Sequence, residues 1–376
     1  MPESIPAELV DLRQRAEQFA VDVLRPHQAD LAAQRLDPAA VRAAVTRAAK
    51  SAGFFAMTQP KSAGGSEAGL LAMTVVRDTL ASHNTGLGHF VFGPGPGVLA
   101  GCAEPLRSKF LQPLLAGTKR GGFAFTEPED AEFFTRAAPD GDGNYVVSGR
   151  KSYVTGGADA DFLNALVDIE GHGRAMLVID TRAPGVSIEK RFDSLDGSHH
   201  AAFRFAAVRV PADHVIGRPG EGMPRAMRQI GDTRLAIAAE AVGLARWAVE
   251  FTQAHLQAPH HSGEPLGARE GVRLRFADLR IRTFAARSML YRTARLGEAG
   301  ANIVNEGIAC KVYATETVSE VVDTAIQLVG GKALTVGHPL EQLYREVRAL
   351  RLAEGASDVL RLNLARGSLD LGKGVL

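Results

Sequence analysis

Cysteine is almost missing from this chain of 376 residues. Only Cys102 and Cys310 occur, far apart and without a C-x-x-C pairing. A disulfide framework and a cysteine-rich zinc site are therefore excluded, and a reducing, cytoplasmic setting is expected. There is no excess of charge of one sign either. Lys and Arg number 43 against 42 Asp and Glu, a formal net charge of +1, so no nucleic-acid or membrane-surface partner is expected. No stretch approaches the ~20 uncharged apolar residues of a membrane helix. The segment Met1-Pro-Glu-Ser-Ile-Pro-Ala-Glu-Leu has neither a basic start nor an apolar centre, so it does not read as a signal peptide. Walker-type loops, internal repeats and low-complexity tracts are all lacking. The adjacent pairs His199-His200 and His260-His261 have no carboxylate at ligand spacing, and no metal is assigned to them.

What is present is a 45% apolar, globular composition on a chain long enough for two or three cored domains. Leu9, Leu12, Ala16, Phe19 and Val23 fall three or four apart and share a helix face. Asp37-Pro38 starts a second helix carried by Val41, Val45 and Ala48. Further helices are expected from Leu70 to Leu80 and from Pro105 to Leu115, with loops at 61–66 and at the glycine–proline alternation 93–97. After Gly121 short β-branched and aromatic runs take over: 145–147, 162–167, 175–179 and 203–210. The last alternates at period two, as half-buried strands do. Asp140-Gly-Asp-Gly-Asn144 is a turn. From Thr233 the helical period returns, with helices expected at about 233–257, 271–296, 301–329 and 339–350, and a last one from Ser357. Helices, then strands, then helices argue for an α+β fold, with domains at 1–120, 121–230 and 231–376. Alternating βαβ units are absent.

Four short segments carry chemistry. Glu354 precedes Gly355, a hinge, and Ser357, which can cap the next helix. A carboxylate at such a junction can project into a cavity. Thr126-Glu127-Pro128 opens the strand-rich region. Gly149-Arg-Lys-Ser-Tyr153-Val-Thr155 offers a flat aromatic and a hydroxyl two residues apart; taken alone it also reads as a plain strand with a buried tyrosine. Gln327-Leu-Val-Gly330-Gly331 ends a helix. Its glycines either form a C-cap or let backbone amides approach a phosphate.

In this order, along essentially the whole chain, the segments resemble the acyl-CoA dehydrogenase family of flavoenzymes. The resemblance implies an N-terminal helical domain, a central β-barrel or sandwich domain and a C-terminal four-helix bundle. It implies FAD as cofactor, with Thr126 starting the flavin-facing wall, Tyr153 on the isoalloxazine and Thr155 near its N5 edge. Gln327, Gly330 and Gly331 would serve the cofactor across a subunit interface. Arg234, in Gly231-Asp-Thr-Arg234 at the opening of the first C-terminal helix, would face the acyl-CoA, although a surface arginine is also compatible with that position. Glu354 would be the base that removes the α-proton of an acyl thioester while the β-hydride passes to flavin N5. Thr233 stands where some family members carry the base instead. Electrons would pass on to an electron-transfer flavoprotein.

The chain also departs from the family pattern. Glu129-Asp130-Ala131-Glu132-Phe133 follows T-E-P where the family usually continues with a small residue, glycine, serine and aspartate, and the carboxylates of Glu129, Asp130 and Glu132 would disfavour a phosphate-bearing substrate by like-charge repulsion. Against the family's R-x-x-F-G, Pro259 occupies the arginine position and Ser262 the phenylalanine position, with Glu270 at the later glutamine. Ala356 replaces the threonine of E-G-T, and Arg345-Glu346 stands for arginine-aspartate. Three arrangements accommodate these losses: a subunit of a hetero-oligomer whose homologous partner supplies the missing groups, a homo-oligomer using other contacts, or a degenerate member without catalysis. Flavin chemistry of another kind, as in a monooxygenase or oxidase on the same scaffold, is a further option.

Overall fold

The computed structural model describes residues 5–372 and 376. Met1 to Ser4, on which the reading of the N-terminus partly rests, lie outside the described residues. The chain forms two compact units. One is helical and comprises Met1–Met57, Ala68–Phe92 and Gly231–Leu376; the other holds Thr58–Glu67 and Gly93–Ile230.

The second unit is built on one curled seven-stranded sheet: β1 (Gly121–Ala124), β2 (Arg136–Pro139), β3 (Asn144–Thr155), β4 (Phe162–Ile169), β5 (Gly173–Asp180), β6 (Val186–Asp193) and β7 (His199–Pro211). Its path is β1-β4-β2-β3-β7-β6, with β5 on β4. The pairs β1–β4 and β2–β4 are parallel and the others antiparallel. Strands β4 and β5 are apolar almost throughout because both faces are covered. Leu163, Ala165, Val167 and Ile169 of β4, with Ala175, Leu177 and Ile179 of β5, pack against Phe203, Phe205, Val208 and Val210 of β7. The intervening Phe162, Leu166, Met176 and Val178 face Val98, Leu99, Leu106 and Phe110 on the other side. The turn at 140–144 closes β2 onto β3: Asp140 Oδ1 accepts from the amides of Asp142 and Asn144.

The helical unit contains α1 (Ala7–Phe19), α2 (Arg25–Ala32), α3 (Pro38–Ser51) and α4 (Leu70–Ala81). In the second unit the helix expected from Pro105 to Leu115 forms as a wider π-type segment, Arg107–Leu111, running directly into α5 (Gln112–Ala116). Helix α3 starts where Asp37 Oδ1 accepts from the amide of Ala40 at 2.7 Å, with Pro38 in its first turn. The C-terminal helices are α6 (Gly222–Gln257), α7 (Glu270–Glu298), α8 (Val304–Val329), α9 (Pro339–Leu350) and α10 (Ser357–Leu369). Helix α6 begins eleven residues before the expected Thr233. Gly222, Pro224 and Gly231 hide its periodicity, but a proline is tolerated in a first turn and a Cβ at Gly231 would meet nothing. The Gly231–Arg234 segment is therefore helix interior and not a helix start, and Arg234 faces no unfavourable N-terminal dipole. Among the described residues no helix is long and apolar enough to cross a membrane.

Helix α4 joins two cores. Val76 and Leu80 pack with Ala16, Phe19, Val41 and Val45, while Leu71 and Val75 pack with α6, α7 and α8. Between these faces lies Asp78, fully buried. Its carboxylate accepts from Arg246 Nη1 on α6 at 2.9 Å, and from Arg287 Nη2 at 2.8 Å and Tyr291 Oη at 2.8 Å on α7. Gly243 permits this approach of α6, because a Cβ there would lie 2.5 Å from the Asp78 carbonyl oxygen. Asp78→Ala leaves two arginines facing a vacated site and is expected to destabilise the helical unit by about 3 kcal/mol. Urea unfolding followed by far-UV circular dichroism measures it, and an unchanged midpoint would rule out this role.

Candidate active site

Helix α9 ends at Leu350 and α10 begins at Ser357, so six residues must carry the chain between them. Glu354 sits in that turn with φ +53°, the left-handed region that a non-glycine residue enters only at a cost of about 1–3 kcal/mol. Gly355 follows at φ +107°, where a Cβ would stand 3.0 Å from Leu360 Cδ2. Carbonyls turned inward by this path need donors. Arg234 Nε, on α6, donates to the Glu354 carbonyl at 3.0 Å. Lys311 Nζ, on α8, donates to the carbonyls of Arg351 at 3.2 Å and Gly355 at 3.0 Å. The Ser357 amide also donates to Arg351 O at 3.1 Å.

The Glu354 side chain is half-buried. Loss of hydration lifts its carboxyl above the ordinary carboxylate range, opposed by the positive charges of Arg234 and Lys311. Burial also lowers the Lys311 ammonium to about 8, helped by repulsion from Arg234 and opposed by Glu354 and Glu316. A carboxyl raised in this way is, when ionised, a stronger base than an ordinary glutamate. Arg234, expected to face substrate, has its Nε committed to the backbone of the turn that bears Glu354.

In the sheet unit, Thr126, Tyr153 and Thr155 are brought together and all three are exposed. Tyr153 stands on a β-bulge. Lys151 pairs with Phe203 and Val154 with Ala201, so β3 carries one residue more than β7. The bulge gives Tyr153 φ +56° and turns its ring outward, 58% exposed, edge-on to Phe192 at 5.7 Å between centroids. The alternative of a plain strand with a buried tyrosine is thus not what forms. The Ser152 amide donates to the Thr126 carbonyl at 2.9 Å, and Thr155 Oγ1 lies 3.2 Å from His200 Nδ1.

Gln327, Gly330 and Gly331 lie at the far end of α8, 16 residues beyond Lys311, or roughly 24 Å along the helix. Gln327 is exposed. Gly330 ends the helix at φ +85°, its amide donating to Ile326 O, and a Cβ on either glycine would meet open space. These residues are therefore not part of the Glu354 cluster of the same chain. Of the carboxylates after Thr126, Asp130 is matched by Arg150 at 3.0 Å, which offsets part of the negative field. Among the described residues no group of three His, Cys, Asp or Glu is placed to hold a metal. His199 pairs instead with Asp193 at 2.6 Å.

Two buried lysines, to which the sequence alone assigns no role, hold these segments in place. Lys151, fully buried, donates to Glu127 at 2.5 Å and to the Phe125 carbonyl at 2.9 Å, pinning the Thr126-Glu127-Pro128 segment to β3. Desolvation brings it down to about 8 against the pull of Glu127. Lys311 left one signal, a lone lysine within the apolar stripe of Ile308, Val312, Val318 and Val322. Gly355→Ala is expected to cost about 1–3 kcal/mol through backbone strain and contact with Leu360. Chemical denaturation measures this, and a wild-type midpoint would show that the turn does not need glycine.

The family descriptions "Acyl-CoA dehydrogenase, N-terminal domain" and "Acyl-CoA dehydrogenase, C-terminal domain" match residues 6–118 and 220–369. An acyl-CoA dehydrogenase of Bacillus subtilis is 27% identical, over 84% of this chain and 86% of its own. An acryloyl-CoA reductase (NADH) of Anaerotignum propionicum is 30% identical, over 69% of each. The crystal structure of a probable acyl-CoA dehydrogenase from Mycobacterium abscessus superposes with a TM-score of 0.84 at 28% identity, covering 96% of this chain and 98% of that one. This chain belongs to the acyl-CoA dehydrogenase family, oxidoreductases acting on CH–CH groups.

Proposed function

We propose that the chain catalyses α,β-dehydrogenation of an acyl-CoA thioester, with Glu354 as the α-proton base, FAD as cofactor and an electron-transfer flavoprotein as electron acceptor. The observation that carries this reading is the setting of Glu354: a half-buried carboxyl on a strained turn, raised by desolvation and faced by Arg234. FAD, when bound, supplies the hydride acceptor. The residues present fit a flat ring system, because Tyr153 presents a largely exposed aromatic ring on the strand that also carries exposed Thr155, and the neighbouring Ser152 amide holds the exposed Thr126 segment alongside. Glu354 takes the α-proton onto a carboxylate oxygen. Arg234 holds the turn and its positive charge keeps a fraction of Glu354 ionised. In the reverse direction the same carboxyl, its protonated form favoured by burial, delivers a proton to the α-carbon, which suits a family that contains an acryloyl-CoA reductase.

Gln327, Gly330 and Gly331 serve the cofactor of a second subunit in this reading. Their distance from Lys311 along α8 supports it. So does an exposed apolar stripe of Leu274, Ile281 and Phe284 on α7. The second subunit is either another copy or a homologue carrying the arginine and aromatic that Pro259 and Ser262 replace.

The visible spectrum of the purified chain with added FAD tests cofactor binding, first alone and then after co-expression with a homologue. A flavin band that bleaches anaerobically with acyl-CoA in the wild type, and at least about 10³-fold more slowly in Glu354→Gln, is the expected result. Equal bleaching in both would remove Glu354 from the mechanism. Only the ionised carboxyl accepts a proton, so the dehydrogenation rate is present above the raised Glu354 pKa and is lost as pH falls through it. Stopped-flow reduction is expected to reach half-maximum above pH 4.5, the ordinary glutamate value, and at still higher pH in Arg234→Met. An acid limb that stays in place in Arg234→Met would show that Arg234 does not act on this carboxyl.

A further inference from the structure

Lys311 is an anomaly in α8. Its neighbours Ile308, Cys310, Val312, Ala314 and Val318 are buried apolar residues, and its own side chain has no exposed surface. Burying an ammonium is unfavourable unless the group finds acceptors. The acceptors it finds are the carbonyls of Arg351 and Gly355, the two flanks of the segment whose central strained residue is Glu354. We propose that Lys311 is a positioning residue for the base: its ammonium ties both flanks of the 351–355 turn to α8 and so holds Glu354 in its left-handed conformation. This inference rests on the reading of Glu354 as the base.

Three features make the clamp effective. A lysine carries three donors on one nitrogen, so a single group bridges carbonyls four residues apart in sequence. The turn's other hydrogen bonds include those from the Leu352 and Ala353 amides to Ala349 O, from the Ser357 amide to Arg351 O and from Arg234 Nε to Glu354 O. Helix α8 is itself fixed in the bundle core by Val318, Val321, Val322 and Ala325, so the anchor does not move with the loop. The charges around the ammonium are Arg234 on α6, Glu354 and Arg351 in the turn, and Glu316 on α8, which Arg361 of α10 also engages. Lys311 thus contributes positive charge at Glu354 as well as geometry.

The test compares wild type, Lys311→Met, Lys311→Gln and Glu354→Gln. Methionine removes both donors and charge, and glutamine keeps donors without charge. Hydrogen–deuterium exchange of a peptide covering 350–357, on the protein with or without FAD, is expected to quicken at least about tenfold in Lys311→Met, with peptides of α4 and α7 unchanged and partial protection regained in Lys311→Gln. In the flavin-loaded enzyme, Lys311→Met is expected to slow anaerobic reduction by acyl-CoA at least about tenfold with little change in substrate affinity. Its acid limb is expected to move to higher pH on the order of one unit, because a cation near Glu354 is lost. If Lys311→Met does not fold, Lys311→Gln carries the test with the same readouts. Unchanged exchange at 350–357 together with an unmoved acid limb would overturn the inference. Loss of Glu354 as the base would be recognised separately, by undiminished reduction in Glu354→Gln.

Discussion

The helical unit depends on one buried carboxylate. Asp78 has no exposure, yet it carries a charge into the meeting point of α4, α6 and α7. Its two arginines and one tyrosine satisfy it as a charge-assisted network, the condition under which a buried ion is tolerated. Such a network fixes azimuth as well as distance. Helix α6 cannot rotate without withdrawing Arg246, nor α7 without withdrawing Arg287 and Tyr291. Gly243 lets the helices close to the separation this pairing requires. The face that α6 presents twelve residues earlier, at Arg234, is set by the same constraint, since a helix transmits its rotation along its length.

From that frame the chemistry is assembled with few parts. Helix α6 supplies Arg234 and α8 supplies Lys311. Between them they satisfy carbonyls in a turn that no helix satisfies. The turn then holds a glutamate where a glutamate is conformationally unfavourable. Strain of this kind persists only where neighbours over-determine it, and here the neighbours are two cations on two rigid helices. In the sheet unit the same device recurs. A bulge in β3 forces Tyr153 into positive φ and presents its ring outward, while the buried Lys151–Glu127 pair fixes the segment bearing Thr126.

Periodicity made much of the fold legible. Helix α9 begins and ends where the spacing of Leu340, Leu343 and Val347 indicates, and the β4, β5 and β7 cores are visible as apolar or alternating runs. Strands β1, β2 and β6 were not legible. Four residues such as Gly-Gly-Phe-Ala carry no period, and β6 (Val-Ser-Ile-Glu-Lys-Arg-Phe-Asp) is held by pairing with β7 more than by burial. The start of α6 was hidden by glycine and proline, residues whose propensity opposes a helix that packing nevertheless enforces. At the site, Glu354 and Gly355 are marked by the turn that a glycine and a capping serine indicate, and Tyr153 by the resemblance of its segment to a family motif, while its bulge leaves no trace in the sequence. The partners of those residues carry no such mark. A lysine written into an apolar helix gives no hint of which carbonyls, forty and forty-four residues away, it will meet.

The electrostatics of Glu354 form a compromise. Desolvation favours the protonated carboxyl, the form that cannot accept a proton. Full ion pairing would leave it ionised but too weakly basic to take a proton from a thioester α-carbon. Arg234 and Lys311 avoid both extremes, because their hydrogen bonds go to backbone carbonyls and not to the carboxylate itself. The carboxylate experiences their charge without being neutralised by contact. In the proposed role, one pair of cations thus sets both the position of Glu354 and its basicity. Burial favours the protonated form and the two cations favour the ionised one, so in the proposed role this carboxyl can serve either direction of the reaction.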